Sequence, residues 1–257
     1  MFNDPHHLLG ADRGPILSVW AHPDDETYLA GGLMAQAVIA GRRVVCVSAT
    51  AGERGTDDPA RWTPRRLARL RRWERGAAMD ILGVVEHTVL GLPDGALGDI
   101  DDDRGIAIVA ELIDTVRPAL TVTFGPDGFT LHPDHQAISR WTTAAWERTG
   151  RCGQLLHTAV TTEQLERFGA LYERWGIYMS TERPRPIPES TVDVHLRLSE
   201  SLLDRKVAAL RAMASQTAGA VSLLGEAQYR RLQAEETFVI GAGVRRPLDR
   251  RTFAAVP

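Results

Sequence analysis

Residues 15–26 read PILSVWAHPDDE and join an apolar segment directly to a cluster of ionisable side chains. An unbroken apolar run of this kind is typical of a strand that is buried on both faces of a parallel sheet. Pro23 suits the end of such a strand or the first turn of a helix, because its φ is fixed and it has no N–H. The stretch therefore predicts a buried strand whose carboxyl end presents His22, Asp24 and Asp25.

Further apolar runs alternate with helical patterns along the chain, and this order indicates a mainly parallel sheet with crossover helices. The predicted later strands are residues 43–49, 87–92, 120–124, 154–160, 191–196 and 237–240. The predicted helices are residues 26–40, 63–82, 106–116, 134–148 and 199–215. The proline-rich stretch 180–190 predicts a loop or flap.

The length of 257 residues is sufficient for one large α/β domain with a full core. We expect an α/β fold, a Rossmann-like three-layer sandwich with a mainly parallel sheet, over residues 1–257. Residues 1–13 and 245–257 are expected to be peripheral tails. Open sheets of this kind bind ligands at the carboxyl ends of their strands, so a functional site is expected at that edge.

The composition argues against several classes of partner. A net charge of −3 disfavours electrostatic binding to nucleic acid. No apolar run approaches the roughly 20 residues that cross a membrane, and the polar N-terminus lacks the pattern of a signal peptide. Cys46 and Cys152 are too few for a disulfide framework. These features predict a cytoplasmic protein that acts on a small molecule, and they leave its oligomeric state open.

A second polar motif, HPDH at residues 132–135, also follows a predicted strand and precedes a predicted helix. We call residues 22–26 the first histidine motif and residues 132–135 the second. A catalytic zinc ion takes about three protein ligands and keeps one position open for water. His22, Asp25 and His135 meet that number. Asp24 would project differently and reach the bound water, or alternatively cap the following helix.

These motifs resemble those of the LmbE-like, PIG-L family of zinc-dependent N-acetylglucosaminyl deacetylases. The resemblance rests on AHPDDE at residues 21–26 and on the second histidine motif, with weaker matches at TAGE (50–53), in residues 72–83 and in residues 206–216. It implies a hydrolase that removes an acetyl group from an N-acetylated amino sugar or its conjugate. The implied cofactor is Zn²⁺, with Fe²⁺ or another divalent metal as the alternative.

The resemblance also implies how the two motifs divide the work. It implies metal ligation by His22, Asp25 and His135. Asp24 is then the expected general base, and His132 is expected to stabilise the oxyanion or donate a proton. The implied role of Asp134, which completes the second motif, is to orient one of its neighbouring histidines.

Other conspicuous residues carry weaker predictions. Five candidate substrate contacts lie after predicted strands or beside the expected cleft: Glu53, Arg54, Trp62, Arg72 and Asp94. The six arginines of the helix at 63–82 are expected to form a solvated face: Arg65, Arg66, Arg69, Arg71, Arg72 and Arg75. Histidines outside the two motifs are expected on the surface or in the core, without a metal: His6, His7, His87, His157 and His195.

Three other functions are compatible with part of these sequence features. An amidase would use the same site on a larger amide conjugate. A non-catalytic protein would bind a metal or a sugar, although it would need neither Asp24 nor His132. A phosphoesterase usually requires ligands for two ions.

Overall fold

The structure is a computed structural model that describes residues 14–241. The predicted tails, residues 1–13 and 245–257, lie outside the described residues. Strands within the described part are β1 (Ile16–Trp20), β2 (Val44–Thr50), β3 (Glu86–Leu92), β4 (Leu120–Thr123), β5 (Gln154–Thr158), β6 (Val194–Arg197) and β7 (Glu235–Ile240). They form one sheet in the order β3-β2-β1-β4-β5-β7-β6.

The first five strands are parallel, and β7 runs antiparallel to both of its neighbours, β5 and β6. The chain starts at β1, builds the sheet outward through β2 and β3, and then returns to place β4 on the other side of β1. The strand order therefore reverses between β1 and β4. A crevice opens at such a reversal, at the carboxyl ends of the strands.

Helices connect the strands within residues 14–241. They are α1 (Asp25–Ile39), α2 (Pro64–Leu82), α3 (Asp102–Val116), α4 (Pro133–Arg148), α5 (Thr162–Trp175), α6 (Glu200–Ala212), α7 (Ala214–Leu224) and α8 (Glu226–Leu232). Helices α1, α2 and α6 pack together, and α3 packs on α4. Right-handed crossovers put these two groups on opposite faces of the sheet. The predicted three-layer α/β architecture is confirmed.

Each predicted strand has a counterpart in the sheet, but four features of the helices differ from the prediction. Helix α3 begins at Asp102, four residues before its predicted start. The helix expected at 199–215 ends at Ala212, and α7 continues at an angle of 115°. Helix α5 was not predicted, although Thr161 and Gln164 form a reciprocal capping box at its start. Helix α8, with seven residues, was not predicted either.

The two histidine motifs follow β1 and β4, the two strands between which the strand order reverses. The first begins two residues after β1 ends, and α1 starts at Asp25. The second forms the start of α4, with His132 as its N-cap and Pro133 at its first position. Among the described residues no single helix is long and apolar enough to cross a bilayer; only the bent pair α6–α7 meets that criterion jointly.

Candidate active site

Three ligand-type atoms from the two histidine motifs converge at the crevice. His22 Nδ1 lies 3.1 Å from His135 Nε2. The Asp25 carboxylate lies 3.4 Å from His22 Nδ1 and 3.3 Å from His135 Nε2. A zinc ion held tetrahedrally at about 2.0–2.1 Å from its ligands separates them by about 3.3 Å. The spacing of these three side chains therefore suits a single metal ion.

The remaining ring nitrogens determine where the histidine protons sit. His22 Nε2 lies 3.1 Å from Asp94 Oδ1 and 3.2 Å from Asp134 Oδ2. Ionised carboxylates only accept, so His22 Nε2 donates. His135 Nδ1 donates to the Gly128 carbonyl at 2.9 Å. In the neutral rings, His22 Nδ1 and His135 Nε2 thus carry no proton, and their lone pairs face each other and the Asp25 carboxylate.

Such a cluster of lone pairs needs a positive charge at its centre. Burial would lower the pKa of His22, but its hydrogen bonds to Asp134, Asp25 and Asp94 outweigh burial and raise the pKa well above its usual value. Burial also opposes ionisation of Asp25, yet the charges of His135 and His22 hold its pKa well below the usual range. The carboxylates around His22 thus stabilise a positive charge, which is a proton on His22 when no metal is bound, and a divalent metal fits the same donor set.

The loop before α4 holds the His135 ring in a fixed orientation. Gly128 has a φ of +70°, and a Cβ at this position would lie 2.7 Å from the Cβ of His135. Glycine is therefore required for the close approach that lets its carbonyl accept from His135 Nδ1. Phe124 stacks on the His135 ring with centroids 4.2 Å apart. Both contacts orient His135 in the way that outer partners orient metal ligands.

His132 lies beside the three ligand-type groups, with ring centroids 4.8 Å from His22 and 4.9 Å from His135. Its Nδ1 accepts from the backbone N–H of Asp134 at 3.1 Å, so the neutral ring carries its proton on Nε2. Burial lowers the pKa of His132, and the charge of His22 lowers it further. The neutral ring retains a donor N–H for a developing oxyanion.

The Asp134 side chain orients a different histidine from the one expected. It faces His22 of the first motif, whereas a neighbour within its own motif was predicted. Its carboxylate also accepts the backbone N–H groups of Gly95 and Leu97 at 2.8 and 2.9 Å. The sequence cannot show that α4 brings this carboxylate against the first motif, and within its own motif Asp134 contacts His132 through its backbone N–H. With its oxygens engaged in this way, Asp134 serves as an outer partner of His22.

Asp24 occupies the N-cap position of α1 but makes no side-chain capping bond. The capping alternative is therefore wrong. Its backbone has a φ of +121°, a conformation that L-residues rarely adopt and that folds maintain chiefly at functional sites. Its carboxylate accepts from Arg71 Nη2 at 3.2 Å. Burial raises the pKa of Asp24 to about 7, and the charge of Arg71 opposes that rise.

Arg71 is a site residue that the sequence analysis missed. It was expected on a solvated helix face, but Arg71 and Arg75 are only 4% and 1% exposed. Arg71 also donates to the backbone carbonyls of Pro23 and Gly52. A Cβ at Gly52 would lie 2.1 Å from Arg71 Nη1, so this glycine leaves room for the guanidinium. Helical spacing from Leu67 was the signal that placed both arginines on the buried face.

The site opens into a cavity of about 520 Å³, and two of the five candidate substrate contacts line it. These are Arg54 and Asp94. Glu53 lies behind them and accepts the backbone N–H of Asp94 at 3.1 Å. Trp62 and Arg72 do not line the cavity, and the Trp62 ring is covered by the guanidinium of Arg66, at 4.6 Å.

Histidines outside the two motifs have partners of their own. His87 contacts Arg75, and His157 contacts Thr143. His195 lies between two carboxylates, those of Glu189 and Glu235. His6 and His7 lie outside the described residues.

The fold and the site define a class of α/β protein with a candidate metal centre at the reversal of strand order. Residues 17–146 match the sequence model of the family described as PIG-L, GlcNAc-PI de-N-acetylase. The chain belongs to this family. The resemblance drawn from the two histidine motifs is thereby confirmed.

Several relatives are deacetylases by name. A 1D-myo-inositol 2-acetamido-2-deoxy-alpha-D-glucopyranoside deacetylase of Kineococcus radiotolerans is 36% identical; the match covers 55% of this chain and 48% of that protein, so the chain spans about half of its length. An enzyme of the same name from Saccharomonospora viridis is 31% identical, over 78% of this chain and 84% of the relative. A probable N-acetyl-alpha-D-glucosaminyl L-malate deacetylase 2 of Bacillus subtilis is 33% identical, over 82% of this chain and 87% of the relative.

Solved structures with this fold include a protein named for a reaction other than deacetylation. The conserved protein TT1542 of Thermus thermophilus is 25% identical, with a TM-score of 0.57 over 87% of this chain and 93% of that chain. A 4-carboxy-2-hydroxymuconate hydratase of Pseudomonas putida is 18% identical, with a TM-score of 0.58 over 95% of this chain and 100% of that chain. The fold by itself therefore does not determine the reaction, which has to be argued from the site.

Proposed function

We propose that this protein is a metal-dependent hydrolase that removes an acetyl group from an N-acetylated amino sugar or its conjugate. One observation carries the proposal. His22, Asp25 and His135 direct their lone pairs at one point, while Asp24 and His132 stand beside that point without being needed as ligands. A protein that merely binds a metal has no use for the second pair. The names of the relatives support the acetylated amino sugar as the substrate class.

The proposed ligands are His22, Asp25 and His135, and the proposed metal is Zn²⁺. Two imidazoles and one carboxylate are a frequent ligand set for zinc in hydrolases, and the same set also suits Fe²⁺. When bound, such a metal lowers the pKa of a coordinated water to about 7 and polarises a substrate carbonyl. Loading with each metal and measuring turnover identifies the one that supports activity.

Asp24 and His132 would manage the protons of amide hydrolysis. The Asp24 carboxylate takes a proton from the attacking water, while Arg71 keeps this carboxylate in place. His132 Nε2–H donates to the carbonyl oxygen as negative charge develops there. Collapse of the tetrahedral adduct requires a proton on the departing nitrogen, and Asp24 holds the proton it has just accepted. The products are a free amine and acetate.

Asp94 and Arg54 would bind the hydroxyl groups of the sugar. Both line the cavity, and Asp94 Oδ2 is fixed by the backbone N–H of Arg54 at 2.6 Å. A carboxylate and a guanidinium that line the same cavity offer both an acceptor and donors to a vicinal diol. Asp94 would then have two partners, the substrate and His22 Nε2.

A product screen of the metal-loaded protein tests this function. N-acetylglucosamine, its glycosides and its inositol and malate conjugates are incubated with the protein, and acetate and free amine are quantified. Equimolar acetate and amine, absent after treatment with a chelator and absent in Asp24→Asn, is the expected result. Tight metal binding without release of acetate from any of these amides would instead identify a non-catalytic protein.

A further inference from the structure

We propose that, besides acetyl, this site removes apolar acyl groups longer than acetyl and favours them, because an aromatic chamber beside the proposed metal ligands holds the chain. The chamber is the part of the cavity lined by Tyr28, Phe129, Phe168, Tyr172, Trp175 and Ile177. This inference rests on the proposed amide hydrolysis and specifies its substrate class.

The chamber begins at the reacting centre because two of its residues belong to the segments that carry the metal ligands. Tyr28 follows Asp25 by three residues, within the first turn of α1. Phe129 follows Gly128, whose carbonyl fixes His135. Tyr28 and Phe129 thus place aromatic surface next to the proposed metal ligands within the same cavity.

Contacts among the aromatic rings give the chamber a fixed shape. Phe129 meets Tyr172 edge to face with centroids 6.4 Å apart, and Tyr28 lies 5.5 Å from Trp175. Helix α5 supplies Phe168, Tyr172 and Trp175 at the spacing of one helix face. The hydroxyl of Tyr28 is already bonded to that of Tyr229 at 2.9 Å, so its ring presents an apolar surface.

Sheet topology separates this apolar wall from the polar wall proposed for the sugar. Arg54 and Asp94 follow β2 and β3, on one side of β1. Phe129 follows β4, and α5 follows β5, on the other side. An amide at the metal thus has a charged, hydrogen-bonding wall on one side and an aromatic wall on the other. Sugar hydroxyls match the first, and an aliphatic chain matches the second.

Several polar groups that line the cavity are already bonded within the protein. Gln164 and Thr161 bond each other reciprocally. Glu236 accepts from Lys206 Nζ at 2.8 Å, and Thr237 donates to the Ala159 carbonyl. These bonds reduce the demand for polar atoms in a ligand. The volume of about 520 Å³ lies within the range of about 300–1,000 Å³ typical of small-molecule pockets, whereas acetyl offers the chamber a single methyl group.

The test is a series of N-acyl glucosamines from acetyl through butyryl and hexanoyl to octanoyl, hydrolysed by the metal-loaded full chain. Burial of each additional methylene is expected to raise kcat/KM about fourfold until the chamber is filled. Ile177→Trp fills the chamber and should reduce the octanoyl-to-acetyl ratio of kcat/KM at least tenfold. Val85→Trp places the same side chain at a position 85% exposed and outside the cavity, and should keep the wild-type ratio.

Binding gives a second readout that does not depend on turnover. Calorimetry with Asp24→Asn should show N-octanoylglucosamine binding more tightly than N-acetylglucosamine, with a more negative heat-capacity change from apolar burial. A kcat/KM that falls from acetyl to longer acyl chains would overturn the inference and leave the proposed deacetylation intact. Chain-length dependence in alkyl glycosides, but not in acyl groups, would also overturn it. Failure to hydrolyse any member would reject the inference, and the product screen on glycosides and conjugates would separately decide the proposed deacetylation.

Discussion

Exchanging Asp94 and Asp134 for asparagine, singly and together, tests how His22 is prepared for a metal ion. Both carboxylates accept from the same atom, His22 Nε2, at 3.1 and 3.2 Å. Either carboxylate is sufficient to keep the proton on Nε2 and the lone pair on Nδ1. Asparagine keeps the shape but offers an N–H₂ as readily as an oxygen, so it does not enforce this tautomer. The two exchanges are therefore expected to be strongly coupled.

The loss of an outer partner of a metal-binding histidine commonly lowers metal affinity 10- to 100-fold, by about 1.4 to 2.7 kcal/mol. Because one carboxylate substitutes for the other, we expect about a threefold loss for each single variant and about 100-fold for the double variant. The excess over the product of the single effects is about tenfold, or about 1.4 kcal/mol of coupling. Asp134→Asn should also cost about 1–3 kcal/mol of stability, because one backbone N–H loses its acceptor.

Metal affinity is measured by competition with a chromogenic chelator at neutral pH, and thermal melting of the metal-free proteins separates misfolding from weaker binding. Asp114→Asn removes an exposed carboxylate of α3 outside the site and serves as the matched control. Metal affinities that combine as a simple product of the single effects, or a double variant that binds like the wild type, would refute the shared role of the two carboxylates.

Four further predictions follow from individual contacts. Asp24→Asn should retain the metal and lose about 10²- to 10⁴-fold in kcat, as metal analysis and acetate assays on the same sample would show. Arg71→Met leaves the Pro23 and Gly52 carbonyls without their donor, and urea denaturation should report a loss of about 1–3 kcal/mol. Gly128→Ala combines a strained φ with a Cβ against His135, and chelator competition should show weaker metal binding. Burial lowers the pKa of His157 to about 4, below its usual 6.5. As the pH decreases from 7 towards 4, the unfolded chain binds a proton before the folded protein does, so the stability of the fold decreases. From pH 7 to pH 5 this costs about 2 kcal/mol, which urea denaturation of wild type and His157→Gln should reveal as a smaller acid loss in the variant.

Much of the fold is visible in local sequence because parallel strands are buried on both faces and read as apolar runs. Residues 15–21 are the clearest case, and β1 lies within them. The end of α2 at Gly83 follows from the left-handed conformation that its C-cap requires. Helix α5 carried a readable capping box and was overlooked, whereas the antiparallel direction of β7 depends on pairing between distant segments and has no local signal.

Some residues of the candidate site can likewise be predicted from local sequence, and others cannot. Two short motifs place His22, Asp25 and His135 at strand ends, where the fold brings them together. The outer partners of His22 come from other parts of the chain, since Asp94 follows β3 and Asp134 belongs to α4. Their convergence depends on the tertiary structure, so spacing along the sequence cannot reveal it.

Anomalous diffraction at the zinc absorption edge, from crystals of the protein loaded with one equivalent of Zn²⁺, shows directly which side chains bind the metal. We expect one peak at about 2.0–2.2 Å from His22 Nδ1, an Asp25 carboxylate oxygen and His135 Nε2. Two other groups of side chains in the described part of the chain are close enough to compete. A peak coordinated by His132, or one between His22 Nε2 and the Asp94 and Asp134 carboxylates, would contradict the assignment of ligands and of the groups left to move protons.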